Sequence, residues 1–271
     1  MYRTILLISL CLPLVLSALS SPDRFFKAKM TTNDDLVTIR LYMRHPMIGH
    51  EYYGNRVNLK EDYITHITAI NENLVILDIS TSPYLRKYPR LQHQFNEKGT
   101  SNLVHYLITD NKAQTRAYLY DFKKRKIMQP KVISIQKDII DYRKLKPKVW
   151  KATTIKDAIH ELYGDIKNPL KGKITIEEEQ DRHCEENIPV HITSDIDLES
   201  IAIFNDTIMY PTVAIISVPK NGIIDYELYL QMFTTCTDYT IVIMAKGRDG
   251  NFYTTSSKAR IACADSCGGG G

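Results

Sequence analysis

Apolar and polar side chains alternate at period two along most of this chain, the pattern of strands that bury one face. The alternation is clear from Leu36 to Met43 and from Tyr63 to Ile70. It returns from Leu74 to Ile79, Leu91 to Phe95, Leu103 to Thr109 and Thr115 to Tyr120. Asp110-Asn111-Lys112-Ala113 has turn chemistry and reads as a hairpin between the last two. About seven short strands separated by turn signals fit a β-sandwich of immunoglobulin size. The pattern lapses from Lys123 to Pro147, a stretch interrupted by Pro130 and Pro147. One helix follows: Thr154 can cap its start, Ile155, Ala158, Ile159 and Leu162 form a 3.6-residue stripe, and Gly164 ends it. Alternation then resumes from Lys173 to Glu178, Ile188 to Thr193, Ile201 to Phe204 and Val213 to Val218. It continues from Tyr226 to Met232, Tyr239 to Met244, Phe252 to Thr255 and Lys258 to Ala262, with a final turn at Gly247-Arg248-Asp249-Gly250-Asn251. The expectation is a mainly β protein of two immunoglobulin-like β-sandwich domains, with a short helix preceding the second. No tight sequence repeat relates the halves.

The N-terminus reads as a leader rather than as structure. Arg3 supplies a basic start, Ile5 to Leu16 an apolar run, and Ala18-Leu19-Ser20 small residues for cleavage before Ser21. That run is short for a membrane span, and no other approaches it, so export to the periplasm without membrane insertion is expected. About 250 residues remain, enough for two domains. The expected organisation is a signal peptide over 1–20, a first sandwich over 21–122, a basic connector over 123–150, the helix plus second sandwich over 151–262, and a tail over 263–271.

The formal net charge of +4 is too small to demand nucleic acid as a partner. Much of the excess falls in the connector, which with its edge holds Lys123, Lys124, Arg125, Lys126, Lys131, Lys137, Arg143, Lys144, Lys146, Lys148 and Lys151 against Asp138 and Asp141. Such a stretch can steer an acidic partner, but a solvated connector is the plainer reading. Enzyme signatures are missing: there is no phosphate-binding glycine loop, no His-Glu-x-x-His and no nucleophile elbow. Glu177, Glu178 and Glu179 read as a solvated strand end, and His45, beside Pro46 and Met47, as a structural histidine.

The cysteines carry the chemistry. Once the leader with Cys11 is set aside, Cys184, Cys236, Cys263 and Cys267 remain. A disulfide between Cys184 and Cys236 would close a long loop, worth roughly 4 kcal/mol in a chain-entropy account. Cys263 and Cys267 are too close in sequence to staple much, so their purpose is chemical. They sit in Cys263-Ala264-Asp265-Ser266-Cys267-Gly268-Gly269-Gly270-Gly271, where small residues contribute no core. Extended from Ala262, the chain to Cys267 reaches roughly 17 Å. A thiolate on such an arm is a nucleophile and a sulfur-accepting group. Lys258 and Arg260 stand near enough in sequence to lower its pKa. Two further readings are an idle disulfide and a soft-ligand copper site.

The chain resembles the bacterial sulfur-oxidation (Sox) carrier: Val37 to Asp121 is similar to SoxZ and Thr154 to Gly271 to SoxY, as in a natural fusion. The first match rests on Arg44-His45-Pro46-Met47-Ile48-Gly49, Tyr88-Pro89-Arg90-Leu91-Gln92-His93-Gln94-Phe95 and Thr109-Asp110-Asn111-Lys112-Ala113. The second rests on the Thr154 helix, the strand series, Asp249-Gly250-Asn251-Phe252 and the cysteine near the glycine-rich end. The resemblance implies a carrier that is not an enzyme and holds no metal or cofactor, with thiosulfate-derived sulfur bound covalently at Cys267. It implies partners that load and unload that residue: a haem-containing loading enzyme, a sulfate-releasing hydrolase and, in some systems, a sulfane dehydrogenase. The family tail has glycines on both sides of its cysteine, whereas Ala264, Asp265 and Ser266 precede Cys267 here. Cys263 is an addition, a second thiol able to resolve or protect the loaded state. Fused carriers of this kind also serve pathways tied to quinoprotein alcohol dehydrogenases. The rival from another class is a periplasmic copper-binding or thiol-redox protein using Cys263 and Cys267, helped by His45 or Met47. A purely structural sandwich, with the tail irrelevant, is the third.

Overall fold

The computed structural model describes residues 25–49, 60–97, 101–128, 139–178, 187–231 and 238–260. The first half contributes β1 (Phe26–Asn33), β2 (Leu36–Met43), β3 (Ile64–Asn71), β4 (Leu74–Thr81), β5 (Arg90–Asn96), β6 (Leu103–Asp110), β7 (Thr115–Asp121) and β8 (Lys126–Met128). Helix α1 (Tyr142–Leu145), a 3-10 turn (Val149–Lys151) and helix α2 (Ile155–Tyr163) follow. The second half holds β9 (Leu170–Lys171), β10 (Thr175–Glu178), β11 (Asn187–Ser194), β12 (Leu198–Asn205), β13 (Thr212–Ser217), β14 (Ile224–Gln231), β15 (Asp238–Gly247) and β16 (Phe252–Arg260).

Each half is an immunoglobulin-like sandwich, and the two have the same strand order. In the first, β1-β2-β5 faces β7-β6-β3-β4; in the second, β10-β11-β14 faces β16-β15-β12-β13. Irregularities repeat at equivalent places. The β3/β4 hairpin shifts register at Ala69/Ile70 and the β12/β13 hairpin at Ile203/Phe204. The β3/β6 ladder shifts between Ile64 and His66, and the β12/β15 ladder between Leu198 and Ser200. Even the last hairpin turns match. Ala113 N–H donates to Asp110 O (3.0 Å) as Gly250 N–H does to Gly247 O (3.1 Å), and the fourth turn residue has positive φ in both, +60° at Ala113 and +84° at Gly250. Bulges are built features of strands, so their recurrence marks one architecture used twice, although no sequence repeat announces it.

The halves do not hang as separate beads. Strand β4 pairs with β13 and β5 with β14, so a six-stranded and a ten-stranded sheet run through the whole molecule. Ile79 opposite Ile216 and Leu91 opposite Leu228 mark where a pseudo-two-fold axis passes between the halves. All four side chains are buried in one continuous core. Burying such a side chain stabilises by about 1.5–3 kcal/mol, so the seam is held by apolar contact as well as by the ladder.

Alternation sets which face each strand buries. Strand β2 sends Val37, Ile39, Leu41 and Met43 inward, and β6 sends Val104, Tyr106 and Ile108. Strands β12 and β13 are buried on both faces, which is why Ile201-Ala202-Ile203-Phe204 and Val213-Ala214-Ile215-Ile216 read as apolar runs. Their outer face lies beneath α2, where Ala158 and Leu162 join Trp150, Phe204, Ile215 and Met244 in a second apolar cluster. Helix α2 begins as the sequence predicts: Thr154 Oγ1 accepts from Asp157 N–H at 3.0 Å and donates to the Asp157 carboxylate at 2.7 Å. Gly164 ends it with φ +80°.

The stretch expected as a solvated basic connector is structured wherever it is described. Residues 126–128 form β8 against β7. Residues 139–151 strap the ten-stranded sheet across the seam. On the first half, Asp78 accepts from Ile140 N–H (2.7 Å), Ser80 from Tyr142 N–H (2.9 Å), and the Thr81 carbonyl from Arg143 (2.7 Å). On the second, Thr212 Oγ1 donates to Val149 O at 3.1 Å. Arg143 is not a solvated charge: its guanidinium stacks on Trp150 (4.5 Å) and reaches the Tyr63 hydroxyl (2.9 Å). The reason is that Tyr142, Val149 and Trp150 bury themselves and bring Arg143 down with them, while Lys144 and Lys148 stay exposed. Residues 129–138 of the connector lie outside the described residues.

Candidate functional site

Cys267, Cys263, the arm residues Ala264, Asp265, Ser266, Gly268, Gly269, Gly270 and Gly271, and the pair Cys184 and Cys236 all lie outside the described residues. The strand that leads to the arm is described through Arg260. On β16, inward positions carry Tyr253, Thr255, Ser257 and Ala259, paired along β15 with Ala245, Ile243, Ile241 and Tyr239. Strand β9 covers the outer edge only at Tyr253 and Thr254. Beyond Thr254 that edge has no partner among the described strands. Two cations stand there: Arg260 faces Asp238 at 3.7 Å with both side chains exposed, and Lys258, also exposed, has no ion pair among the described residues. As far as it is described, β16 thus ends at a sheet edge that carries Lys258 and the Arg260–Asp238 pair.

The remaining sequence candidates resolve into structure. His45 is buried; its Nδ1 accepts from Met47 N–H at 3.3 Å and its Nε2 lies 3.5 Å from Asp62. Burial lowers the imidazole pKa, and Asp62 offsets this only in part. Met47 sits at φ +51° with its sulfur accepting from Ile64 N–H at 3.4 Å. Both side chains are thus committed to fixing the segment after β2. Gly49 is required there, because a Cβ would come within 2.6 Å of Pro83. The three first-half motifs meet at this end of the sandwich: Tyr88 N–H donates to His45 O (2.8 Å), and Lys112 reaches Asp62 (3.0 Å). In the second half, Asp249 accepts from the Tyr253 hydroxyl at 2.6 Å and from Asn251, closing the last hairpin. Among the described residues no group of three or more His, Cys, Asp or Glu could hold a metal ion, and no helix is long and apolar enough to cross a membrane.

The outer face of the six-stranded sheet carries a single row of polar residues across every strand: Lys29, Arg40, Gln92, Glu227, His191 and Glu177, each opposite the next in register. The row is basic in the first half and acidic in the second. Arg40 Nε donates to Gln92 (2.7 Å), whose amide reaches Asp225 (3.3 Å). His191 lies between Asp225 (3.0 Å) and Glu177 (3.3 Å). Burial alone would lower the His191 pKa, but those two bonds outweigh it and hold it above its ordinary value. Glu177 is therefore an imidazole partner as well as a strand-end charge. Beside the row, Arg90 lies over Tyr42 (5.5 Å) and Tyr229 (5.7 Å), and a cavity of about 300 Å³ opens among Arg40, Tyr42, Arg90, Gln92, Glu227 and Tyr229. These residues come from β2, β5 and β14, too far apart in sequence for any motif to join them. Their only signal is that each occupies an outward position of its strand.

No family model matches the chain, and no curated protein does. Among solved structures, the sulfur carrier protein SoxY from Chlorobium limicola f thiosulfatophilum is similar over 42% of this chain and 96% of its own, at 20% identity and a TM-score of 0.35. A likeness at that level decides nothing about function.

Proposed function

We propose that this protein is an exported covalent carrier of sulfur, working in the periplasm, in which Cys267 holds a thiosulfate-derived intermediate and presents it to separate partner enzymes. What supports this reading is the position of Cys267 in the sequence, in a run of small residues and glycines from Ala262 onward, shortly after β16, whose far edge is unpaired among the described strands and bears Lys258 and Arg260. A residue presented in that way can enter a narrow channel in another protein while the sandwich stays outside. The motifs shared with SoxZ and SoxY point the same way. Under this reading the first half is a docking and structural partner without a reactive group, and the chemistry belongs to a haem-containing loading enzyme, a sulfate-releasing hydrolase and, in some systems, a sulfane dehydrogenase. Cys263 would resolve or protect the loaded thiol.

Intact mass tests it. Protein purified without reductant should carry adducts of one or more sulfur atoms, or of thiosulfate, that reductant removes and a Cys267→Ser variant lacks. A mass with no such adduct even when thiosulfate is supplied, and two hydrogens lower for a closed Cys263–Cys267 bridge, would sink the carrier reading in favour of thiol-redox or copper chemistry.

A further inference from the structure

The cavity lies on the six-stranded sheet, whereas β16, the last described strand, belongs to the ten-stranded one, and the charges around the cavity are not balanced. Lys29 and Arg40 stand directly opposite each other in register, an arrangement of like charges that destabilises a strand pair. Arg90 projects from the next strand on the same face. Among the described residues none of these three cations has a carboxylate within ion-pair distance; their contacts are to Gln92, Tyr42 and Tyr229. The one acid lining the cavity is Glu227, and it is engaged by Tyr229. Burial and a bond to Glu227 raise the Tyr229 hydroxyl pKa, while Arg90 draws it back.

We propose that this cavity binds a small tetrahedral oxyanion of the sulfate, thiosulfate or phosphate class, gripped between the guanidinium groups of Arg40 and Arg90. Guanidinium forks match the oxygens of such an anion and give charge-assisted bonds in fixed directions. The surroundings hold the forks ready. Gln92, buried, fixes Arg40 through Nε, which leaves the terminal nitrogens of Arg40 to a ligand. Tyr42 and Tyr229 flank Arg90 on both sides, a stacking that orders the side chain without neutralising it. An anion here relieves the repulsion between Lys29, Arg40 and Arg90. A cavity of about 300 Å³ fits a small anion with ordered water rather than a protein segment. The site also spans the seam: Arg40 and Arg90 belong to the first half, Tyr229 and Glu227 to the second. Occupancy therefore ties the halves together and raises the unfolding midpoint.

The test uses the full chain with Cys267→Ser, so that covalent sulfur chemistry plays no part and the carrier reading can fail independently. Sulfate, thiosulfate and phosphate are titrated separately by calorimetry, at ionic strength held constant with chloride. One saturable site is expected, with a matching rise in unfolding midpoint. Arg40→Gln and Arg90→Gln should each weaken binding about tenfold or more, the loss of a charge-assisted bond. Glu227→Gln should tighten it several-fold, and Lys156→Gln, far away on α2, should leave it unchanged. Equal binding of the three anions identifies a general oxyanion site; preference for thiosulfate assigns it to the sulfur source. The proposal is overturned if no anion binds beyond chloride, or if the Arg40→Gln/Arg90→Gln double variant, folded by circular dichroism, binds as before.

Discussion

The two halves of this molecule share strand order, bulges and hairpin turns, yet finish differently. In the first, β7 directs Tyr118 and Tyr120 into the core and Phe122 follows directly after it, Tyr118 lying opposite Tyr106 and Tyr120 opposite Val104. A turn then brings β8 back onto the outer edge of β7. In the second, the equivalent strand β16 offers Thr255, Ser257 and Ala259, opposite Ile243, Ile241 and Tyr239. Its edge is left unpaired among the described strands beyond Thr254, and the chain runs on toward Cys263 and Cys267. One architecture has thus been closed with aromatic rings at one end and left open with small side chains at the other. The closed half is fastened by its aromatic end, whereas the last described strand of the other half is held by far smaller side chains.

The largest effect that would test this contrast is truncation of the aromatic end. Tyr118→Ala should cost about 3–5 kcal/mol of unfolding free energy, the range for large aromatic truncations in a core. Thr255→Ala, at the equivalent place on β16, should cost less than about 1 kcal/mol. Equal losses in urea unfolding would show the two strand ends to be equally fastened, and the contrast would go.

Acid should weaken the aromatic half through His93. This residue is fully buried, with Nε2 3.1 Å from the Tyr106 hydroxyl and Nδ1 without a partner. Burial depresses its pKa to about 3. Between its unfolded value of about 6.5 and that figure, the unfolded chain binds a proton that the native state refuses. Stability is therefore whole above pH 6.5 and falls as pH drops, by roughly 2 kcal/mol at pH 5. A His93→Leu variant should lose that part of the slope when unfolding is followed from pH 7 to pH 5. An unchanged slope would place the acid sensitivity elsewhere. His191, on the sheet's outer face, works in the opposite sense: with its pKa raised by Asp225 and Glu177, its contribution is complete below the unfolded pKa and is lost as pH rises through the folded one.

The strap gives an effect of similar size. Arg143→Ala removes the bonds to Thr81 and Tyr63 and the stacking on Trp150. The loss should be about 2 kcal/mol, seen as a lower urea midpoint with a single transition. Two separated transitions would mean that the strap, rather than the β4/β13 and β5/β14 ladders, keeps the halves cooperative.

Period-two alternation was enough to place most strands, because a strand that buries one face must repeat every second residue. The ends of α2 were legible for an equally local reason: Thr154 and Gly164 satisfy backbone groups within one turn of themselves. Composition alone singled out Cys267, since a run of small residues and glycines needs no partner to be recognised as one that builds no core. Other features were invisible in the sequence. Whether β4 meets β13, and β5 meets β14, depends on two sheet edges distant in the chain, and nothing in either strand's pattern names its neighbour. The fate of Arg143 depended on Tyr142 and Trp150 finding a buried place against the sheet, which turned a charge in a basic run into a stacked and hydrogen-bonded one. The row from Lys29 to Glu177 was beyond reach altogether, because each residue is an ordinary outward polar position. Local sequence determined most strands and the helix ends and offered the cysteine-bearing segment as a candidate; tertiary structure decided which edges join and which charges are brought face to face, since both are set by register between residues far apart in the chain.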